Sequence, residues 1–252
     1  MADQRTVIDA VHRLSAGDRV IAGLVACHGM PSFGGTTHGR TRFAALARSI
    51  LYQQLAGKAA LAIHGRFVDA VGGDVTPRAV LACPEETLRA CGLSGAKAAS
   101  IRDLAAKVTD GTIALDRIGR LSDDAIVDHL VQVRGIGRWT AEMFLLFTLG
   151  RLDVWPTGDF GVRVGYATAW ETPTVPAPKE LQTLGDRFRP YRSIVAWYCW
   201  RAADERTRGP RPPPLGTTAP GEVEGRACHT SSRPPTTMSS PSSWTAPTRR
   251  TR

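Results

Sequence analysis

Two short stretches of the chain hold residues whose types and spacing suit chemistry. The first, RGIGRWTA at residues 134–141, places Gly135 and Gly137 on either side of one isoleucine, between two apolar helical patterns. Glycine there permits positive φ and lets another molecule come close without a Cβ in the way. Amide groups at the start of the following helix point outward together, which makes an anion site that a phosphate fits. A glycine turn between helices is also often only a connection, and the local pattern leaves both readings open. The second stretch, DVWPTGDFGVRVG at residues 153–165, sets one carboxylate, Asp159, just ahead of another amphipathic segment. By local pattern alone Asp159 is the N-cap of that helix.

The elements that must position these residues are almost wholly helical. Apolar residues recur at three- and four-residue spacing over 4–15, 41–56, 58–71, 84–91, 95–109, 122–133, 138–149, 159–170, 178–188 and 191–205. Glycine- and proline-containing breaks such as VGGDVTP, CGLSG and ETPTVPAP separate them. Before the glycine turn, Ile126, Val127, Leu130 and Val133 form an apolar face, and Ser122 is the expected N-cap. After it, Trp139, Met143 and Leu146 are expected along one face, with Ile136 turned inward to pin the two helices. Alternating strand patterns are scarce, and no repeat of fixed period is present. Residues 1–208 read as one all-α domain.

Composition breaks near Arg208. Residues 209–252 hold nine of the seventeen prolines and almost no aliphatic side chains, so the expectation there is a disordered tail. Six arginines and two glutamates lie in that tail, which leaves 26 basic and 21 acidic residues in the body. A mildly basic globule suits a polyanion without requiring one. The five cysteines show no CxxC pair and read as reduced thiols of a cytoplasmic protein. No run approaches the roughly 18 apolar residues of a membrane span, so no membrane partner is expected.

LVQVRGIGRWTAEMFLLF followed by DVWPTGDFGVRVG resembles the helix-hairpin-helix DNA glycosylase superfamily, in its alkylation-repair, 3-methyladenine DNA glycosylase II branch. ARSILYQQLAGKAALAIHGRF, GLSGAKAASIRDLA and FRPYRSIVAWYCWRA extend the resemblance over residues 5–206. It implies a two-lobed all-α helix-hairpin-helix fold, double-stranded DNA as partner, a monomer, and excision of alkylated purines. The resemblance puts the catalytic carboxylate at Asp159. Breaking a base–sugar bond builds positive charge on the sugar, which a carboxylate stabilises while it orients water.

Superfamily members that also cut the strand carry a lysine nucleophile where this chain has Trp139. Only Cys199 and Cys228 follow Asp159, too few for the four-cysteine iron–sulfur loop of the endonuclease III branch. The resemblance therefore implies a monofunctional enzyme without redox cofactor or catalytic metal, with room for a K⁺ or Na⁺ ion on hairpin carbonyls. It makes Trp139, Trp200 and Tyr52 walls of the base pocket, where an indole face favours a cationic purine. Plain core packing is the other reading of the tryptophans. Gly135, Gly137, Thr140, Arg138 and Gln53 would contact DNA, and Gln54 stands where the family inserts a side chain into the duplex. A glutamine amide bonded to backbone near a helix end is the alternative there. Lys58, Lys97 and Arg163 are further candidate phosphate contacts. Gly158 stands where some relatives carry a second acid. A glycosylase for oxidised or deaminated bases, and a non-catalytic DNA-binding module, are the alternative functions.

Overall fold

The computed structural model describes residues 4–31, 33, 41–55 and 57–208, with side chains to residue 206. The proline-rich segment 209–252, for which disorder is expected, lies outside these residues. Among the described residues twelve α-helices follow in order: α1 Gln4–Gly17, α2 Arg19–His28, α3 Arg42–Tyr52, α4 Gly57–Ala70, α5 Pro77–Ala82, α6 Glu85–Ala90, α7 Gly95–Thr109, α8 Asp123–Leu130, α9 Arg138–Phe147, α10 Phe160–Ala169, α11 Pro178–Gly185 and α12 Arg192–Arg208. Short 3₁₀ turns occupy Ile118–Arg120 and Asp186–Phe188. Among the described residues there is no strand, and the all-α expectation holds.

Two of these helices are not anticipated by periodicity. Helix α2 buries only Ile21 fully, with Leu24 and Val25 half-buried on the same face, a short stripe that the expected segments leave out. Its start is set by Asp18, whose carboxylate accepts from Val20 N and Ile21 N. Helix α5 has six residues, too few for a repeat, yet it carries the Thr76 cap and a proline in its first turn. The segment expected as helix over 122–133 ends at Leu130, because the chain turns before Val133 reaches its buried place.

The described residues fall into two compact units. The first spans residues 33–156. Its core is built on Phe43, Leu46, Ile50 and Leu51 of α3 and on Ala98, Ile101 and Leu104 of α7, all buried. Helices α4, α7 and α9 pack on α3, and α8 packs on α9.

The second unit comprises residues 4–31 and 157–208. Helix α12 is its spine and packs on both α10 and α2. The Tyr198 hydroxyl donates to Gly29 O at 2.9 Å, tying α12 to the end of α2. Burial pushes that phenol up to about 12, so it stays a neutral donor. The approach of α10 to α12 is closest at Gly165, where an added Cβ would sit 1.7 Å from the Cys199 carbonyl oxygen. The obstacle is backbone, which cannot rotate away.

Gly165→Ala should therefore force the two helices apart. A loss of about 3 kcal/mol is expected, seen as a fall of roughly 6–12 °C in Tm.

Candidate active site

The first unit presents the glycine hairpin. Helix α8 is capped at its start by Ser122, as expected, with its Oγ accepting from Ala125 N. Val133 and Ile136 are buried between α8 and α9, and Ile136 N donates to Val133 O. Gly135 has φ +77°, and a Cβ there would lie 2.5 Å from Ser100 Oγ of α7, so both handedness and space demand glycine. Gly137 differs: its φ of −92° suits any residue, and nothing lies within 4 Å of where its Cβ would be. Nothing inside the protein requires glycine at 137. It caps α9 without a side chain, which leaves the approach to the helix start uncluttered.

Two side chains hold the turn from behind, and a third closes the end of α3. The Gln53 amide donates to Gly135 O at 3.0 Å and to the buried Thr140 Oγ1 at 3.3 Å. Asp103 Oδ2 accepts from Arg134 N at 2.8 Å and pairs with Lys107. Burial alone would raise the Asp103 carboxyl, but these donors outweigh it and hold the group below its ordinary value. Lys97 Nζ donates to Leu51 O and Gln53 O, both at 2.6 Å, closing the end of α3.

Lys97 is thus occupied inside the unit, and partial burial lowers its pKa. Its expected phosphate contact gives way to a structural one. Arg163 is similarly engaged, donating to Pro176 O at 2.7 Å within the second unit. Lys58 remains on the exposed surface.

The two adjacent glutamines have separate fates. Gln53 is half-buried and spends its amide on the hairpin, whereas Gln54 is exposed and held at φ +56°. Trp139 does not join the apolar face expected for it. Helix α9 buries Ala141, Phe144, Leu145 and Leu146, while the Trp139 side is turned outward and the residue is 46% exposed. Beside it, Arg138 Nε pairs with the buried Glu142 at 2.9 Å. Tyr52 is half-buried, with the Arg48 guanidinium 4.0 Å from its ring centroid and the His64 ring edge-on at 6.0 Å.

In the second unit Asp159 is indeed the N-cap of α10. Its Oδ1 accepts from Val162 N at 2.8 Å and also from the indole Nε1 of Trp200 at 3.0 Å. The structure therefore brings together two residues that lie far apart in sequence, and gives Trp200 a polar partner that spacing did not suggest. Gly161 makes the contact feasible: a Cβ there would lie 3.0 Å from Trp200 Cδ1 and 3.1 Å from Asp159 Oδ1. Cys199, next along α12, is fully buried, and burial together with the Asp159 charge drives its thiol pKa strongly up. It has no thiolate character for nucleophilic work.

Among the described residues no cluster of three or more His, Cys, Asp or Glu side chains is arranged to hold a metal ion. Of the hairpin carbonyls, Val133 O accepts from Ile136 N and Gly135 O from Gln53, so both already serve the turn.

The chain thus joins a helical hairpin with a glycine turn to a capped carboxylate at the head of α10. The model of the family described as "HhH-GPD superfamily base excision DNA repair protein" matches residues 47–190, and the chain belongs to that family. DNA-3-methyladenine glycosylase 1 of Schizosaccharomyces pombe is 36% identical over 161 residues, 63% of this chain and 71% of the relative. The solved 3-methyladenine DNA glycosylase of S. pombe in complex with abasic DNA superposes with a TM-score of 0.68 at 33% identity, covering 77% of this chain and 95% of that one. DNA-3-methyladenine glycosidase of Bacillus halodurans gives a TM-score of 0.72 at 31% identity over 79% of this chain and 91% of its own. Among the described residues no helix is long and apolar enough to cross a membrane.

Two stability measurements follow from this geometry. An asparagine at 159 retains a carbonyl oxygen for both donors, whereas alanine retains none. Asp159→Ala should cost about 1 kcal/mol in denaturant unfolding while Asp159→Asn stays within about 0.5 kcal/mol of wild type.

The Asp103 carboxyl lies lower in the folded than in the unfolded chain. Its contribution is complete above the ordinary carboxylate value and is lost as pH falls through the folded one. Wild type should lose more stability than Asp103→Asn as pH drops below about 4, measured by urea midpoints across pH.

Proposed function

We propose that this chain is a monofunctional DNA glycosylase that hydrolyses the N-glycosidic bond of alkylated purines, 3-methyladenine above all, and leaves an abasic site. The observation that carries the proposal is Asp159, a carboxylate fixed at the head of α10 by Val162 N–H and the Trp200 indole. As the base departs, the sugar gathers positive charge, and a carboxylate that is already oriented stabilises it without reorganising. The same group orients the attacking water. A purine alkylated at N3 or N7 is cationic and leaves readily, so no strong general acid is needed. The resemblance of the chain to 3-methyladenine glycosylases over most of its described length supports this lesion class.

Trp139 and Trp200 each offer an indole face suited to a cationic base. Tyr52 fits that role less well, because Arg48 already lies over its ring. At position 139 an indole cannot form the Schiff base that a lysine would, so strand cleavage is not expected. Gly135, Gly137, Arg138 and Thr140 form the DNA-backbone clamp. Gly137 contributes by what it lacks, a side chain at the start of α9. Gln53 supports the clamp from behind, and exposed Gln54 is the residue that enters the duplex. No step uses a metal ion. Every residue in this reading lies before residue 209, and the protein acts as a monomer on double-stranded DNA, an intracellular substrate.

Methylated duplex incubated with the protein should release free purine base, read by chromatography. Asp159→Asn should abolish release and leave duplex affinity within about threefold, since the lost effect is confined to the transition state. Full release by that variant would remove Asp159 from the chemistry. Borohydride should trap no protein–DNA adduct, and an adduct would overturn the monofunctional assignment.

A further inference from the structure

The reading of Trp200 as a wall uses only its ring, yet the structure commits its N–H. We propose that Trp200 is a positioning residue for Asp159, its indole N–H fixing the carboxylate in the orientation that base release requires. The inference rests on the proposed role of Asp159 as the group that stabilises the sugar cation.

Two donors converge on Oδ1, and they come from different helices. Val162 N of α10 lies at 2.8 Å and Trp200 Nε1 of α12 at 3.0 Å. A single donor on the carboxylate's own helix leaves rotation about the Cβ–Cγ bond as a soft motion. A second, fixed in direction by another helix, removes it. The indole suits the task because it only donates and does not titrate, so it holds the carboxylate in one sense at any working pH. The support behind it is unusually specific. Gly161 leaves the space in which the indole edge meets Oδ1, and Gly165 lets α12 come close enough to deliver it. An aromatic wall alone needs neither the N–H nor that clearance, and phenylalanine would serve.

The test compares full-length wild type, Trp200→Phe and Gly161→Ala on duplex carrying 7-methylguanine. Single-turnover release and equilibrium affinity are measured side by side. Trp200→Phe keeps an aromatic face and should slow release about ten- to hundredfold, with affinity within about threefold. Gly161→Ala should move release in the same direction, since its Cβ pushes the indole off Oδ1. A Trp200→Phe variant that releases base at the wild-type rate overturns the proposal. Rate and affinity falling together also overturn it, because that is the behaviour of a wall.

An independent reading comes from ¹H–¹⁵N spectra, where the Trp200 indole signal is assigned by its loss in Trp200→Phe. It should move in Asp159→Ala while the other indole signals hold; an unmoved signal overturns the proposal whatever the activity. A wild-type protein that releases no damaged base overturns the proposed function instead. That failure is distinguishable because the indole signal would still answer to Asp159.

Discussion

The backbone contact between α10 and α12 is the constraint on which the candidate catalytic group depends. At Gly165 the two helices touch main chain to main chain, next to Cys199 O, and no side chain can be interposed. That closeness sets the height at which the next residue of α12, Trp200, meets α10. One turn back along α10, Gly161 keeps the indole path open, and one residue beyond that helix's start lies the Asp159 carboxylate. Packing thus places the donors that decide where the carboxylate points. The charge then inherits the rigidity of a buried helix pair, which is the condition under which a fixed dipole or ion acts most strongly on a developing cation.

The hairpin shows the complementary arrangement. Its outer surface is suited to a polyanion, but much of the nearby charge is spent inward. Lys97 closes the end of α3, and the Asp103 carboxylate holds Arg134 N–H and pairs with Lys107. Backbone groups of the turn, Arg134 N and Gly135 O, are themselves bonded to side chains from outside it. Those side chains, Asp103 of α7 and Gln53 at the end of α3, supply part of its cohesion. The net charge of the body therefore overstates how many cations are available at the surface, since partners inside the protein have claimed some of them.

Much of this was legible in the residues. Helices α8 and α9, the inward Ile136 and the Ser122 cap follow from apolar period and cap chemistry, because local rules decide them. Helix α2 was missed although Ile21, Leu24 and Val25 mark one face: its stripe is short, and the Asp18 cap and contact with α12 complete it. Trp139 was misplaced because its spacing to Met143 and Leu146 fits a helical stripe. The true buried face is rotated to Ala141, Phe144 and Leu145, and a large aromatic in the first turn can lie outside it. Asp159 as a cap was readable from its position, and the chemical role proposed for it comes from the resemblance. The indole bond to it was not readable at all, since it depends on two glycines acting through a helix crossing.

Gln54 carries a last implication. At φ +56° it occupies a backbone region that suits glycine and costs other side chains about 1 kcal/mol or more. Its amide lies on the exposed side of the turn, so the strain is not offset by burial there. A laboratory selection for heat resistance would find glycine at this position early and would discard the exposed Gln54 side chain. Robustness and reach are set against each other at a single residue of this fold.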